Sequence, residues 1–158
     1  MDLDAREFRH VLGTFTTGVC VITAVSENNE PFGMTVNSFA SVSLDPALVL
    51  WSLQNDSDCL PAFEATKKFA VNILASDQQG LSTLYAQKGK HVLQSEHYQM
   101  GEYGLPIVAG VVSSFECSVW ARYPGGDHTI MIGEVKSIGS DSNKQPLLFN
   151  AGQYRELC

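Results

Sequence analysis

The stretch from Gly33 to Pro46 constrains the fold of this 158-residue chain more than any other, because its pattern changes twice within a short distance. Apolar and small polar residues alternate over 34–37 and again over 42–44, which predicts two extended segments with one buried face each. Between them, the segment from Ser38 to Ser41 breaks the alternation, as a β-bulge or a tight bend does. A polar bend between two strands offers free backbone N–H groups to a planar ligand that is rich in hydrogen-bond acceptors.

The plainer interpretation of this stretch is structural. Its hydroxyl and amide side chains could satisfy one another within a half-buried strand pair that binds no ligand. Composition alone favours that interpretation, so a binding role needs support from elsewhere in the chain.

The remaining apolar runs predict a sheet in which helices are inserted singly. Helical patterns begin at Asp4, near Cys59 and after Asp77, with Ser57 or Asp58 as the cap of the second helix and Asp77 as the cap of the third. Strict strand–helix alternation is absent, which argues against a doubly wound parallel sheet. We therefore predict a mainly β fold with peripheral helices, an antiparallel barrel-like sheet of the α+β type, as a single domain over residues 1–158. The predicted strands cover 19–25, 47–53, 69–74, 107–112, 115–122 and 129–138.

Charge and composition exclude several classes of function. The net charge of −7 disfavours non-specific binding to nucleic acid or to an anionic membrane. The N-terminus lacks the basic start and apolar core of a signal peptide, and no long apolar run exists, so we expect a cytoplasmic protein that has no membrane segment. The four cysteines are far apart and form no Cys-x-x-Cys pair, and His91, Glu96 and His97 have the spacing of an ordinary polar loop, so we predict no metal site.

A second informative segment runs from Gly125 to Val135. His128 follows a glycine turn and precedes a strand, a position from which a titratable ring can point toward a ligand. A histidine in this position can equally well do no more than satisfy the polar groups of the turn.

Together these segments resemble the short-chain flavin reductases, the family of FMN-binding split barrels. Its signature is similar to Gly-Met-Thr-Val-Asn-Ser-Phe from Gly33 and to Ser-Val-Ser-Leu-Asp-Pro from Ser41, followed by Gly-Asp-His ending at His128. Further similarities lie in the opening segment 8–23, the strand 69–74 and the closing segment 146–157. The resemblance covers nearly the whole chain in the expected order, and it rests on the series of motifs rather than on any one of them.

The resemblance implies a homodimeric oxidoreductase that uses NADH or NADPH to reduce FMN or FAD and often supplies a partner monooxygenase. It implies that His128 helps to hold the nicotinamide and that Tyr154 lies in the closing segment beside the site. The residues that match the segment bordering the flavin are Thr35, Asn37, Ser38, Phe39, Ala40 and Ser41. Those that match the region leading to the phosphate are Ser52, Gln54, Asn55 and Ser57, and those of the nicotinamide loop are Gly126, Asp127 and His128.

One departure from the family concerns the flavin phosphate. Asp56 and Asp58 flank Ser57, and both carboxylates would repel a phosphate if they pointed toward it. The N-terminus of the helix after Ser57 can favour an anion. The cations are expected from Lys88 or Lys90, and we expect a loosely bound flavin.

Two other functions remain open at this level. A split barrel that binds flavin or haem without reductase activity would serve as a carrier or sensor. The Gly-Asp-His motif argues against it, because a carrier has no use for a nicotinamide loop. A reductase that passes electrons through FMN to ferric iron or a cobalt corrinoid is not distinguished from a flavin reductase by these residues.

Overall fold

The computed structural model describes residues 2–158, and they form a mainly antiparallel β structure with peripheral helices, as predicted. The helices are α1 (Ala5–Leu12), α2 (Leu60–Ala65) and α3 (Gln79–Tyr85), with one 3₁₀ turn at Ser95–His97. The strands are β1 (Thr17–Gly18), β2 (Cys20–Val25), β3 (Pro31–Val36), β4 (Ala40–Leu44), β5 (Ala47–Gln54), β6 (Lys68–Ile73), β7 (Tyr98–Met100), β8 (Pro106–Val108), β9 (Ser113–Gly125), β10 (His128–Ser140), β11 (Leu148–Asn150) and β12 (Gln153–Arg155). None of the helices within 2–158 is long and apolar enough to cross a membrane.

The main sheet has seven strands in the order β3-β2-β6-β9-β10-β5-β4, so β3 and β4 occupy opposite edges. In a flat sheet those edges would lie about 29 Å apart, at about 4.8 Å per strand. Yet only Asn37, Ser38 and Phe39 separate the two strands, and the four Cα steps across them span at most about 15 Å. The sheet must therefore curl until its edges approach each other, and β3 and β4 are not the strand pair that their closeness in sequence predicts.

The barrel is filled by side chains that the alternating pattern of the strands points inward. Trp51 of β5 packs edge-on against Phe63 of α2 and Phe69 of β6, with ring centroids 4.9 and 5.8 Å apart. On β2, Ile22 faces this core while Val21 packs into a second cluster beneath α3. Burial on both faces explains why β2 is apolar without alternation.

Gly133 of β10 shows how closely the core is packed. A Cβ atom at this position would lie 2.5 Å from Cζ of Phe69 and 2.8 Å from Cβ of Cys117. The β9–β10 ladder has a register shift between Ile132 and Gly133, so the glycine lies at a bulge where the sheet bends over the Phe69 ring.

Several predicted boundaries were wrong. The predicted strand 107–112 ends at Val108, because Gly110 takes a left-handed turn at φ 79°. Cys59 and Gln78 occupy the cap positions of α2 and α3 without side-chain capping bonds, although the Ser57 hydroxyl accepts from the Cys59 N–H. The continuous apolar run 47–53 predicts a strand without a solvent face, but in β5 only every second residue is fully buried.

The polar, mixed sequence of 87–104 predicts a loop with a helical piece, and the segment contains the 3₁₀ turn and β7 but is also bonded to the sheet. The N–H of Gly33 donates to the carbonyl of His91, and the N–H of Leu93 donates to the carbonyl of Pro31, so this segment continues the sheet beyond β3. These bonds bring His91 next to the signature stretch.

Candidate functional site

A cleft of about 450 Å³ opens where β3 leaves the sheet for β4, at the point of barrel closure. One side is formed by the end of β3 and the link that follows it, the other by the end of β5 and the start of β10. The residues lining the cleft are Met34, Thr35, Val36, Asn37, Ser38, Ser52, Gln54, Asp56, Ser57, Asp58, Ala86, Lys88, His91 and His128. The signature stretch and the Gly-Asp-His motif, about ninety residues apart in the chain, thus face one cavity.

Ser38 fixes the β3–β4 link against β5. Its hydroxyl accepts from the Ser52 N–H at 2.9 Å and donates to the Ser52 carbonyl at 3.1 Å. The side chain thereby takes the place of a neighbouring strand, because β4 pairs with β5 only from Ala40 onward. The backbone N–H groups of Asn37 to Phe39 lie between the two strands, outside their ladders. The bend predicted over Ser38 to Ser41 is thus shifted: the link covers 37–39, and Ala40 and Ser41 already belong to β4.

Thr35 anchors the same segment on its other side. Its hydroxyl donates to the Ser82 carbonyl of α3 at 2.7 Å, and the Ser82 hydroxyl lies 2.6 Å from the Tyr154 hydroxyl. Thr35, Asn37 and Tyr154 also line a neighbouring cavity of about 220 Å³, which shares four residues with the cleft. The closing segment of the chain therefore reaches the site, as the resemblance implies.

The β9–β10 turn forms the opposite side of the cleft. His128 Nδ1 lies 2.6 Å from Oδ1 of Asp127, and Asn55 binds the turn by donating its side-chain N–H to the Gly126 carbonyl and accepting from the Thr129 hydroxyl. The hydrogen bond and charge of His128 lower the pKa of the fully exposed Asp127 carboxyl. His128 itself is partly exposed, with 38% of its side chain open to solvent.

The far end of the cleft contains the groups expected near a phosphate. Asp58 does not present a free charge there, because its carboxylate accepts from the Gly89 N–H at 2.9 Å and lies 3.0 Å from His91 Nε2. Slight burial would raise the pKa of Asp58, but the Gly89 hydrogen bond and the charge of His91 lower it below its ordinary value. Lys88 lines the cleft, while Lys90 does not. The Asp58 carboxylate is therefore held by Gly89 and His91 rather than free to turn toward a phosphate.

Eight predicted site residues line the cleft, Tyr154 lies in the adjoining cavity, and the others lie around them. Phe39 packs on Phe115 with ring centroids 5.6 Å apart, and Ala40 and Ser41 are exposed on the edge strand β4. Asn55 supports the β9–β10 turn rather than lining the cavity. The eight lining residues are Thr35, Asn37, Ser38, Ser52, Gln54, Ser57, Lys88 and His128, and those outside the cavity lining are Phe39, Ala40, Ser41, Asn55, Lys90, Gly126 and Asp127.

Six lining residues were not among the predicted binding residues, although Asp56 and Asp58 were expected near the phosphate. Met34 and Val36 stand in the signature stretch but were treated as core, although the end of β3 is only half buried. His91 was interpreted as a surface residue, and only its pairing with Gly33 brings it to the cleft. The full set is Met34, Val36, Asp56, Asp58, Ala86 and His91.

Comparisons with known proteins agree with this geometry. The protein-family model described as "Flavin reductase like domain" matches residues 12–158 of this chain. The chain is 42% identical over 151 residues to the FMN reductase (NADH) SmoA of Agrobacterium fabrum, covering 96% of this chain and 85% of that protein. It is 36% identical to the reductase subunit HsaB of a flavin-dependent monooxygenase from Rhodococcus jostii, over 96% of this chain and 77% of that one.

A solved structure gives the same result. The NADH:FAD oxidoreductase SgcE6 of Streptomyces globisporus, in complex with NAD and FAD fragments, superimposes with a TM-score of 0.92 at 36% identity, covering all of this chain and 98% of that one. The antiparallel barrel described above is therefore the fold of these reductases.

Proposed function

The chain belongs to the flavin reductase like domain family, and from that premise we propose that the cleft between β3, β5 and the β9–β10 turn is its flavin and nicotinamide site. The protein is an oxidoreductase that uses NADH to reduce FMN or FAD. The observation that carries the site assignment is the meeting of the signature stretch and His128 in one cavity. Its size is typical of cavities that bind nucleotide-sized ligands.

The donor set fits a flavin. Ring nitrogens and carbonyl groups of a flavin need hydrogen-bond donors along one edge, and the main chain of Asn37 to Phe39 supplies N–H groups outside the strand ladders. Because the Ser38 and Thr35 hydroxyls are engaged by Ser52 and Ser82, this segment is fixed before any ligand arrives. Such preorganised donors stabilise negative charge without the cost of reorienting them.

When both nucleotides are bound, the cofactors themselves supply the hydride-transfer chemistry. The chain's contribution is to orient them. The Ser38 side of the cleft positions the flavin, and His128 lies across the cavity, where its ring can pack on or hydrogen-bond the nicotinamide. Its Nδ1 is engaged by Asp127, so Nε2 is the nitrogen that can face the cleft. Hydride transfer needs no proton from His128, and we assign it an orienting role.

The phosphate end is assigned to Ser57 and Lys88. Both line the cleft, and Lys88 is an exposed cation able to pair with a phosphate, while His91 faces the same cavity beside Asp58. One exposed lysine gives modest affinity, which supports a flavin that exchanges with solvent. We propose that the reduced flavin is released to a monooxygenase, the role that HsaB's name gives it.

The test of the site is steady-state oxidation of NADH with and without added FMN and FAD, followed by flavin titration of the wild type and of Lys88→Ala. We expect flavin-dependent NADH oxidation, and FMN affinity lowered several-fold in the variant, while riboflavin, which has no phosphate, binds both proteins equally. Equal FMN affinity in both proteins would show that the phosphate does not bind at this end of the cleft. NADH oxidation that does not depend on flavin would refute the function.

We also propose that the chain forms a homodimer. The resemblance implies a homodimer, and α1 offers a surface for one. This helix buries none of its residues, and Val11, Leu12 and the nearby Phe15 are more than half exposed. Exposed apolar residues grouped on one helix are typical of an interface, and a second copy of this chain is the partner we assign to them.

Light scattering at micromolar concentration tests the dimer. The wild type should have the mass of two chains, and Phe15→Asp should shift it toward one. Glu7→Gln, on the same helix, is the matched control and should leave the mass unchanged. A monomeric wild type would refute the proposal.

The single domain over 1–158 is likewise proposed, supported by the family match over 12–158. The cytoplasmic location stays a prediction.

A further inference from the structure

Three side chains with metal-binding chemistry converge beside the cleft, although their spacing along the chain is not that of a metal-binding motif. One ligand atom from each of Asp58, Cys59 and His91 lies within 4.8 Å of the others. Asp58 and Cys59 precede α2, and His91 lies more than thirty residues later, on the segment that extends the sheet beyond β3. The convergence therefore depends on the His91–Gly33 backbone pairing and is invisible to spacing rules.

Two of the three side chains are oriented by a second layer of hydrogen bonds. His91 Nδ1 lies 3.1 Å from the carbonyl oxygen of Gly33, and since a carbonyl only accepts, Nδ1 carries the hydrogen. Oδ2 of Asp58 accepts from the Gly89 N–H at 2.9 Å. Such outer contacts from a backbone carbonyl to a histidine, and from an N–H to a carboxylate, are typical of groups held for metal binding.

The contact between His91 and Asp58 brings two metal-binding atoms together. With hydrogen on Nδ1, a neutral His91 ring would direct its Nε2 lone pair at Asp58 Oδ1, only 3.0 Å away. An imidazole nitrogen and a carboxylate oxygen at this distance can share a proton, or one metal ion can bind both of them.

The position of Cys59 distinguishes the two. Its side chain is 4% exposed, and its sulfur lies within 4.8 Å of the ligand atoms of both Asp58 and His91. A proton shared by Asp58 and His91 makes no use of this sulfur, whereas a metal ion would take thiolate, imidazole and carboxylate together. A cavity of about 240 Å³ lined by all three residues gives an ion access from solvent.

The geometry points to a site for Zn²⁺ or a similar divalent transition metal, bound by Asp58, Cys59 and His91 with a fourth position open to solvent. In a tetrahedral zinc site the imidazole nitrogen and carboxylate oxygen lie about 3.3 Å apart, and sulfur and nitrogen about 3.6 Å apart. The present separations require side-chain movements on the order of 1 Å. Binding displaces the thiol proton of Cys59, together with any proton shared by His91 and Asp58, and these protons go to the buffer.

Such an ion would lie at the phosphate end of the cleft, because Asp58 and His91 line both cavities. It would join the segment before α2 to the segment after α3, which together form that end. Metal occupancy and the geometry of the flavin site would then be linked, although metal binding itself needs neither flavin nor NADH.

The test is a Co²⁺ titration of chelator-treated protein without flavin or NADH. We expect one Co²⁺ per chain, with the visible bands of a tetrahedral ion and a near-ultraviolet band from thiolate coordination, both removed by added Zn²⁺. Cys59→Ser should abolish the near-ultraviolet band and weaken binding by about 10- to 100-fold. Cys158→Ser, which alters an exposed cysteine far from the cluster in the chain, is the matched control and should change neither.

Asp58→Asn provides a second test in case the cysteine variant does not fold, because it changes a partly exposed side chain. It should weaken Co²⁺ binding and leave the circular dichroism spectrum unchanged. A wild type that binds no Co²⁺ at a concentration of about 0.1 mM, where even weak sites are occupied, would refute the proposed metal site. Equal binding by wild type and Cys59→Ser would do the same. The first result would leave only a proton between His91 and Asp58, and the second would show that Co²⁺ binds without Cys59. Neither result would affect the reductase assignment, which is measured separately.

Discussion

The two sides of the cleft differ in how firmly they are held. The link side, defined as Thr35 to Ser38, is part of the barrel closure, and its hydroxyls are bonded to β5 and α3. The turn side, defined as Gly126 to His128, lies at the tip of a long hairpin, where Asp127 is 88% exposed at its side chain. The link side is fixed by the fold, whereas the turn side is fixed by a few exposed hydrogen bonds.

This difference suits two ligands with different requirements. A flavin that must be aligned for hydride transfer benefits from a preorganised surface, while a nicotinamide that enters and leaves in each turnover benefits from an accessible one. We therefore expect substitutions on the link side to change flavin affinity and stability, and substitutions on the turn side to change the use of NADH. The following predictions test that division, from the largest expected effect to the smallest.

His128→Ala should lower kcat/KM for NADH by about 10- to 100-fold, the loss of one or two well-placed interactions at about 1.4 kcal/mol per decade. The flavin dissociation constant should stay the same, because the flavin lies against the link side. His128→Gln retains a hydrogen-bond donor and should recover part of the loss. Equal losses in both constants would make His128 a structural residue, and no loss in either would leave the turn side without a role.

Ser38→Ala should weaken flavin binding by about 10-fold and lower the free energy of unfolding by about 1–2 kcal/mol, because the partly buried Ser52 backbone loses both partners. Flavin titration and urea unfolding measure the two effects. Ser140→Ala, at the exposed end of β10 and outside the cleft lining, is the control and should change neither. A variant that loses stability while retaining its flavin affinity would separate the barrel closure from the binding site.

Asn55→Ala should raise KM for NADH about threefold, because the turn loses its bonds at Gly126 and Thr129. Both bonds are exposed, so the free energy of unfolding should fall by no more than about 0.5 kcal/mol. Steady-state kinetics and urea unfolding on the same preparation test this. A loss of stability as large as that of Ser38→Ala would contradict the difference between the two sides.

The smallest expected effect concerns the thermal stability at acid pH. The pKa of Asp127 is lowered by His128, so their interaction contributes above the ordinary aspartate value near pH 4 and is lost as the pH falls through the lowered value. Asp127→Asn should therefore flatten the fall of Tm between about pH 5 and pH 3 only slightly, because the pair is exposed. A large flattening would mean that the turn side is as firmly held as the link side.

Much of the fold could be predicted because its signals are local. Alternation and continuous apolar runs indicated β2, β5, β6, β9 and β10, and the glycine turn indicated the β9–β10 hairpin, where Gly126 adopts φ 69°. These features depend on side-chain period and backbone permissiveness, which neighbouring residues determine. The motif series also identified the family and eight residues of the cleft.

Only the tertiary structure decided how those pieces meet. The link between β3 and β4 looks like a hairpin in the sequence, yet it joins opposite edges of a closed sheet, because the strand order depends on long-range pairing. In the same way, His91 reaches Asp58 and Cys59 only through its pairing with Gly33, and Tyr154 reaches Ser82 only when the chain closes. Period and turn chemistry are properties of adjacent residues, while register and barrel closure depend on which distant strands bury each other's faces.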